Sequence, residues 1–375
     1  MINQKRTLDE FFELVQIKCS TRAEREVADV IKRKLAELHM EVTEDNTGSK
    51  IGGNCGNVLA FLPGTAAGAP SILFTAHLDC VEPCGHIQPI LKDGIITSAG
   101  DTILGSDDKS GVVAILEALR VVKEQNIPHG NIQIVFTVAE EGGLNGSKNI
   151  EPSLLQADFG YALDSSGVPG EIVNMAPGQN KLVITVHGKK AHAGVAPEEG
   201  INAIVLAGKA LAKVNDGRID PETTANIGII KGGSATNIVP DKVEILAEAR
   251  SRNQEKLAAQ TEHMRQVFED TIAAAGGKAE VVISKEYDAY VLPETAPVIA
   301  LAFQAAESIG LKAVIKATGG GSDANYFNSY GVPTAVLGTG MSKVHTTDEF
   351  IKEQDLYNIG ELALAIIKAA GQAKK

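Results

Sequence analysis

Three stretches of the chain are apolar almost without a break: "NVLAFL" at 57–62, "SILFTAHLD" at 71–79 and "IQIVFTVAE" at 132–140. A strand with one wet face alternates apolar and polar residues, so runs this continuous need cover on both faces. Between the last two lies a helical stripe, "GVVAILEALRVV" at 111–122. Strands covered on both sides and alternating with helices predict a layered α/β sheet, whose ligands collect at the C-terminal ends of the strands. Two helices come first. Thr7 with Glu10 and Thr21 with Glu24 read as capping boxes, ahead of the Leu8, Phe11, Phe12, Val15 and Val27, Val30, Ile31, Leu35, Leu38 stripes.

Near Pro177 the pattern changes. "NKLVITVHGKK" (180–190) alternates like a half-exposed strand, and a helix is predicted over 200–214. Strands follow at 223–233 and 241–251, then a long helix at 254–275 and a strand at 278–290. The order βαββαβ is the ferredoxin-like arrangement. After Pro293 the first pattern resumes with "AVIKATGGG" and "PTAVLGTG". A chain of 375 residues exceeds one ordinary core. The expected organisation is a large α/β domain, 1–178 with 291–375, interrupted by a small one, 179–290.

The net charge of 35 − 47 = −12 argues against nucleic acid and anionic membranes, which need a basic patch. No apolar run approaches the roughly 18–20 residues of a membrane span. The opening "MINQKRTLDEFF" has no signal-peptide core, and four cysteines do not make a disulfide scaffold. A cytoplasmic location is the expectation.

Five strand ends or loops then deliver a metal-binding type of side chain. They are His77 and Asp79 in "TAHLDC", Asp107 and Asp108 in "LGSDDKSG", Glu140 and Glu141 in "FTVAEEGG", Asp164 in "YALDSSG", and His345 in "KVHTTDEF". Each alone reads as an ordinary loop polar group or helix cap. Together, one ligand per segment gives two histidines and three carboxylates on one sheet edge. That set suits two borderline divalent ions, zinc, cobalt or manganese, bridged by one carboxylate. Such ions lie about 3.5–4 Å apart and share a water. A further carboxylate is then needed to move the water's proton to the leaving amine. The doublet Glu140–Glu141 supplies one carboxylate for metal and one for protons; alternation would send them to opposite faces. Which does which stays open on residue chemistry alone.

These motifs, with "TVAEEGGLNGS", "KKAHAGVAPEEGINAI" and "GGGSDANYF", resemble the M20 family of di-metal peptidases over essentially the whole chain. The resemblance implies a phosphorylase/hydrolase-like α/β/α catalytic domain with an inserted lid that also dimerises. It implies His77, Asp107, Glu141, Asp164 and His345 as metal ligands, with Asp107 bridging. One ion would have His77, Asp107 and Asp164; the other Asp107, Glu141 and His345. Asp79 would orient His77, Glu140 would be the general base, and the Asp107–Asp108 peptide is often cis in such enzymes. From the lid, His192 would stabilise the oxyanion, in dimeric relatives from the partner subunit. Asn237, Arg250 and the 319–322 backbone (Gly320, Gly321, Ser322) would hold the substrate's C-terminal side. Linkers near 177–180 and 290–293 are hinge candidates.

The implied reaction is hydrolysis of a short peptide. The alternative is deacylation of N-acyl amino acids, and a catalytically dead homologue is disfavoured because all seven positions are filled. A separate structural zinc site from His77, Cys80, Cys84 and His86 is also disfavoured, since His77 is already used and no second ligand pair follows. Cys19 and Cys55 read as buried thiols.

Overall fold

The computed structural model describes residues 1–374. The chain divides into two compact units. The first comprises Met1–Met175, Leu292–Ala317 and the segment from Ser322 onward; the second comprises Ala176–Val291 with Thr318–Gly321.

The first unit is built on a mixed sheet. Its strand order is Glu41–Glu44, Val58–Leu62, Ile132–Thr137, Ile72–His77, Phe159–Ser165, Thr334–Gly338 and Glu171–Ala176, with Val314–Ala317 paired to the last. The four central strands, from Ile132–Thr137 to Thr334–Gly338, run parallel. Every residue of Ile72–His77 and of Ile132–Thr137 is buried, as the unbroken apolar runs require. Side chains alternate between two covered faces. Leu73 packs with Leu59, Val135, Ile150 and Phe327. Phe74 points the other way and meets Tyr161 at a ring distance of 5.7 Å, and Tyr161 Oη donates to the Val298 carbonyl at 2.8 Å. Helix Ser106–Glu124, buried along most of its length, packs against Ile72–His77 and against the helix Glu353–Gln372.

Neither expected capping box forms. The first helix starts at Gln4, capped by Asn3, whose side chain accepts from the Arg6 amide. Thr7 therefore lies inside the helix, and Glu10 is taken by Arg120 and Lys34. Thr21 donates instead to Asp79, and Glu24 accepts from the Arg22 and Ala139 amides. Local capping lost here to tertiary partners inside the fold.

The second unit carries an antiparallel sheet ordered Gly217–Asp220, Thr223–Gly232, Lys242–Ser251, Gly178–His187 and Lys278–Tyr287. Helices Ala203–Leu211 and Gln254–Ala274 cover one face, where Leu182, Ile184, Val186, Val243, Ile245, Leu206, Met264 and Phe268 form the core. This is the βαββαβ order with one short extra edge strand, Gly217–Asp220. Asn202 and Asn253 set the helix starts by accepting two backbone amides each. Thr318–Gly321 joins this unit, although the sequence places it with 291–375. Arg252 Nη1 donates to the Thr318 carbonyl at 3.3 Å. Gly321 lies so close to the Tyr287 ring that a Cβ there would sit 2.3 Å from Cζ.

A small three-stranded sheet of Pro89–Lys92, Ile95–Ser98 and Phe350–Lys352 anchors the segment after His345. Among the described residues no helix is long and apolar enough to cross a membrane.

Candidate metal centre

The strand Ile72–His77 ends on His77, which is 2% exposed. Its Nδ1 lies 3.0 Å from the Asp79 carbonyl and 3.4 Å from Asp79 Oδ1. Two acceptors at Nδ1 place the proton there, which turns the Nε2 lone pair outward. Nε2 then faces Asp107 Oδ1 at 3.0 Å and Asp164 Oδ1 at 4.0 Å.

Asp107 stands at the break between loop and helix. Gly105 has φ of +74°, which only glycine adopts freely, and Asp107 and Asp108 keep non-helical backbone angles. The Asp107–Asp108 peptide is cis. While Oδ1 faces His77, the other oxygen of Asp107 lies 3.3 Å from His345 Nε2. One carboxylate thus presents one oxygen to each imidazole.

The glutamate doublet does not sit on a strand. Ile132–Thr137 ends early, Ala139 takes a positive φ of 50°, and Glu140–Glu141 form a turn. Asp79 fixes that turn: its Oδ1 accepts from the Glu140 amide at 3.0 Å and its Oδ2 from the Glu141 amide at 3.3 Å. Thr21 Oγ1 donates to the same Oδ2 at 2.7 Å. The two glutamates diverge because a turn is pinned on one carboxylate, not because of strand alternation. Glu141 Oε1 is buried and comes within 2.8 Å of His345 Nε2.

The electrostatics of so many acids in one buried place are strongly perturbed. Burial pushes Asp164 and Glu140 well above the usual carboxylate range; His77 opposes this, and neighbouring carboxylates add to it. For His77, burial disfavours the charged ring, but Asp107 and Asp79 outweigh it and raise the ring well above its ordinary value. Asp107 and Glu141 raise His345 to about 10. Each of these shifts reports a demand for positive charge.

Two groups of ligand atoms lie within 4.8 Å of one another: His77, Asp108 and Asp164, and His77, Asp107 and Glu141. Two imidazoles facing several buried carboxylate oxygens, Glu141 Oε1 among them, make a donor set that fits divalent cations. The M20-type family profile, described as peptidase family M20/M25/M40, matches residues 73–369. The chain belongs to this peptidase family. It is 47% identical to a solved aminopeptidase PepT from Bacillus cereus, with a TM-score of 0.92, covering 99% of this chain and 100% of that one. A solved tripeptidase from Staphylococcus aureus is 42% identical, with a TM-score of 0.96 and full coverage of both chains. The uncharacterised Bacillus subtilis protein YqjE is 45% identical over 372 residues, 99% of this chain and all of that one. As a member of the M20 family the chain is a peptidase, and its likeness to an aminopeptidase and a tripeptidase does not favour the deacylase alternative.

The remaining residues singled out in the sequence lie apart in two sets. Ser322 is in the first unit, at the start of helix Asp323–Ser329, where its amide donates to Asn325 Oδ1. His192, Asn237, Arg250, Gly320 and Gly321 are in the second. There, residues 191–193 run beside 237–239, and the Ala193 amide donates to the Asn237 carbonyl, so His192 and Asn237 sit on adjacent backbone. His192 is exposed, and its Nδ1 accepts from the Gly194 amide at 3.2 Å. Arg250 is gripped by Glu248 through Nε at 2.8 Å and Nη2 at 3.1 Å.

Several residues at the centre have contacts for which the sequence assigned no role. Asp108 accepts from the His77 amide at 3.2 Å and joins one ligand group. Asp323, 3% exposed, accepts from Thr137 and Ser147 and adds its charge to those acting on Glu140 and Asp164. Lys109, wholly buried, donates to the Leu78 carbonyl at 2.6 Å, between His77 and Asp79. "DDK" reads as a helix start, but Asp108 and Lys109 are both fully buried. The four cysteines are buried free thiols, and Cys80 Sγ lies 3.6 Å from Cys19 Sγ. Among the described residues no cysteine joins a metal-binding group.

Proposed function

We propose that the chain is a di-metal exopeptidase of the tripeptidase kind, acting on short peptides in the cytoplasm. The observation that carries this reading is Asp107, one carboxylate facing both imidazoles, beside Glu141 Oε1, which faces His345. His77, Asp107 and Asp164 would hold one ion; Asp107, Glu141 and His345 would hold the other, with Asp108 beside the first group. Two divalent ions, zinc most simply, would supply the charge that acidifies a water and polarises the scissile carbonyl. The protein's own groups do the rest. Glu140 accepts the water's proton at its carboxylate and passes it to the leaving amine. Asp79 holds the His77 tautomer and the turn that carries Glu140. His192 donates to the oxyanion. Arg250 and Asn237 receive the substrate's C-terminal carboxylate, with Gly320, Gly321 and Ser322 offering backbone and hydroxyl donors. For Arg250 this means sharing its guanidinium with Glu248.

The second unit is also the proposed dimerisation surface. Its edge strand Lys278–Tyr287 leaves Val282 64% and Ile283 39% exposed, beside Val183 at 37%. Light scattering of the purified protein should give twice the chain mass; a monomer would remove this part of the reading.

The function is tested by a turnover panel of di-, tri- and tetrapeptides and N-acetyl amino acids. It is run with Zn²⁺, Co²⁺ and Mn²⁺ after chelation and dialysis. Tripeptides should turn over fastest, and only with metal restored. Full activity after complete metal removal would sink the metallopeptidase reading; a preference for N-acetyl amino acids would move it to the deacylase class.

A further inference from the structure

A buried carboxylate that binds neither metal nor substrate needs another reason to be where it is, and Glu349 is such a group. It is 2% exposed. Its Oε2 accepts from the Leu104 amide at 2.8 Å and the Gly105 amide at 2.9 Å. Its Oε1 accepts from Ser106 Oγ at 2.6 Å and the Asp107 amide at 3.1 Å. A carboxylate has about four lone-pair sites. Four donors fill them, so Glu349 has no capacity left for an ion. The amides of 104, 105 and 107 converge because Gly105 takes a positive φ, which makes a small anion-binding concavity in the backbone. The chain fills that concavity with its own side chain.

Glu349 also stands four residues after His345. The turn between them is closed by the Glu349 amide donating to the Thr346 carbonyl at 3.2 Å. Phe350 then pairs with Ser342 and with Thr97, tying the segment to the small sheet. One carboxylate thus joins the segment bearing His345 to the loop bearing Asp107.

We infer that Glu349 is a positioning residue: it holds the Asp107 loop against the His345 loop, so that Asp107 Oδ2 and His345 Nε2 meet around one ion. This rests on the di-metal reading proposed above. It acts through the ligands and touches no reacting atom.

The test measures metal affinity directly, by competition between the metal-stripped protein and a zinc-sensitive chelating dye. Loss of a group that orients a ligand costs roughly 10–100-fold in metal affinity. Glu349→Ala should weaken one zinc equivalent by about that factor and leave the other much closer to wild type. Glu349→Gln keeps the shape but turns two donors against an amide nitrogen, and should fall between the two. If Glu349→Ala does not fold, Glu349→Gln and Ser106→Ala carry the same comparison. With saturating zinc, KM should stay near wild type. As a control, Phe268→Ala destabilises the second unit's core without touching these loops, and should leave zinc affinity unchanged. Wild-type affinity in the Glu349 variants would overturn the inference. So would an equal loss in Phe268→Ala, since general destabilisation would then explain both. If the wild-type protein itself binds no zinc, the di-metal reading fails first, which is a distinguishable result.

Discussion

The two groups of proposed functional residues are held in opposite ways. In the first unit the groups other than the half-exposed His345 are buried or nearly so, and Asp79 alone fixes His77, the Glu140–Glu141 turn and Thr21. In the second unit His192 is exposed and Arg250 is paired to a neighbour on its own strand. A centre that must present charges to a cation has to be preformed, because each unmatched buried carboxylate is expensive. Groups that must meet varied short peptides need less fixing. On the proposed reading, the chemistry is held rigid and the recognition is left adjustable.

If that contrast holds, substitutions in the first unit should cost far more than those in the second. The largest effect is expected for Asp107→Asn. Losing the shared carboxylate should remove bound metal and take activity to the detection limit, as read by metal analysis beside turnover. A variant that retained both ions would deny Asp107 its bridging place. Next, Glu140→Gln should keep its metal content while kcat falls by about 10²–10⁴-fold, the usual worth of a general base. Normal turnover would move the base elsewhere, with the buried Asp323, whose charge acts on Glu140, one acid to try. In the second unit, Arg250→Ala should raise KM for tripeptides by about tenfold, the worth of one charge-assisted bond near 1.4 kcal/mol. A fall in kcat as large as that of Glu140→Gln would erase the contrast.

The smallest effect concerns Glu24, which supports the base turn through the Ala139 amide. Burial, and then the charge of Asp79, raise its carboxyl from 4.5 to about 7. Between those values the folded chain holds a proton that the unfolded chain has released. Its contribution is therefore full below pH 4.5, is lost as pH rises toward 7, and stays flat above. Glu24→Gln, which mimics the protonated acid, should flatten the decline in melting temperature over that window in chelated protein. An unchanged slope would refute it.

What could be read in advance divides along the same physical line. The central strands were legible because burial on both faces leaves a continuous apolar run. The residues gathered at the candidate centre were legible as candidates because metals demand particular residue types at strand ends. The βαββαβ order was legible from alternation, although the extra edge strand Gly217–Asp220 is too short and polar to announce itself. The supporting groups were not legible. Glu349, Asp323, Lys109 and Glu24 look like ordinary surface charges in sequence, and only the closing of distant loops buries them. The capping box at Thr21 failed for the related reason that local patterns cannot foresee tertiary competitors, whereas the one at Thr7 lost to the nearby cap Asn3.

The spread of the ligands along the chain has a consequence for biosynthesis. Asp164 and His345 are 345 − 164 = 181 residues apart, with the whole second unit between them. At about 5–20 residues per second, a ribosome delivers the last histidine roughly 10–40 s after the last aspartate. During that interval the nascent chain owns the proposed His77, Asp107 and Asp164 set but only two of the three ligands proposed for the other, Asp107 and Glu141. The two proposed metal positions are thus unequal in time: the first can have its ligands before the second unit has been made, while the second waits for the C-terminal segment that carries both His345 and Glu349.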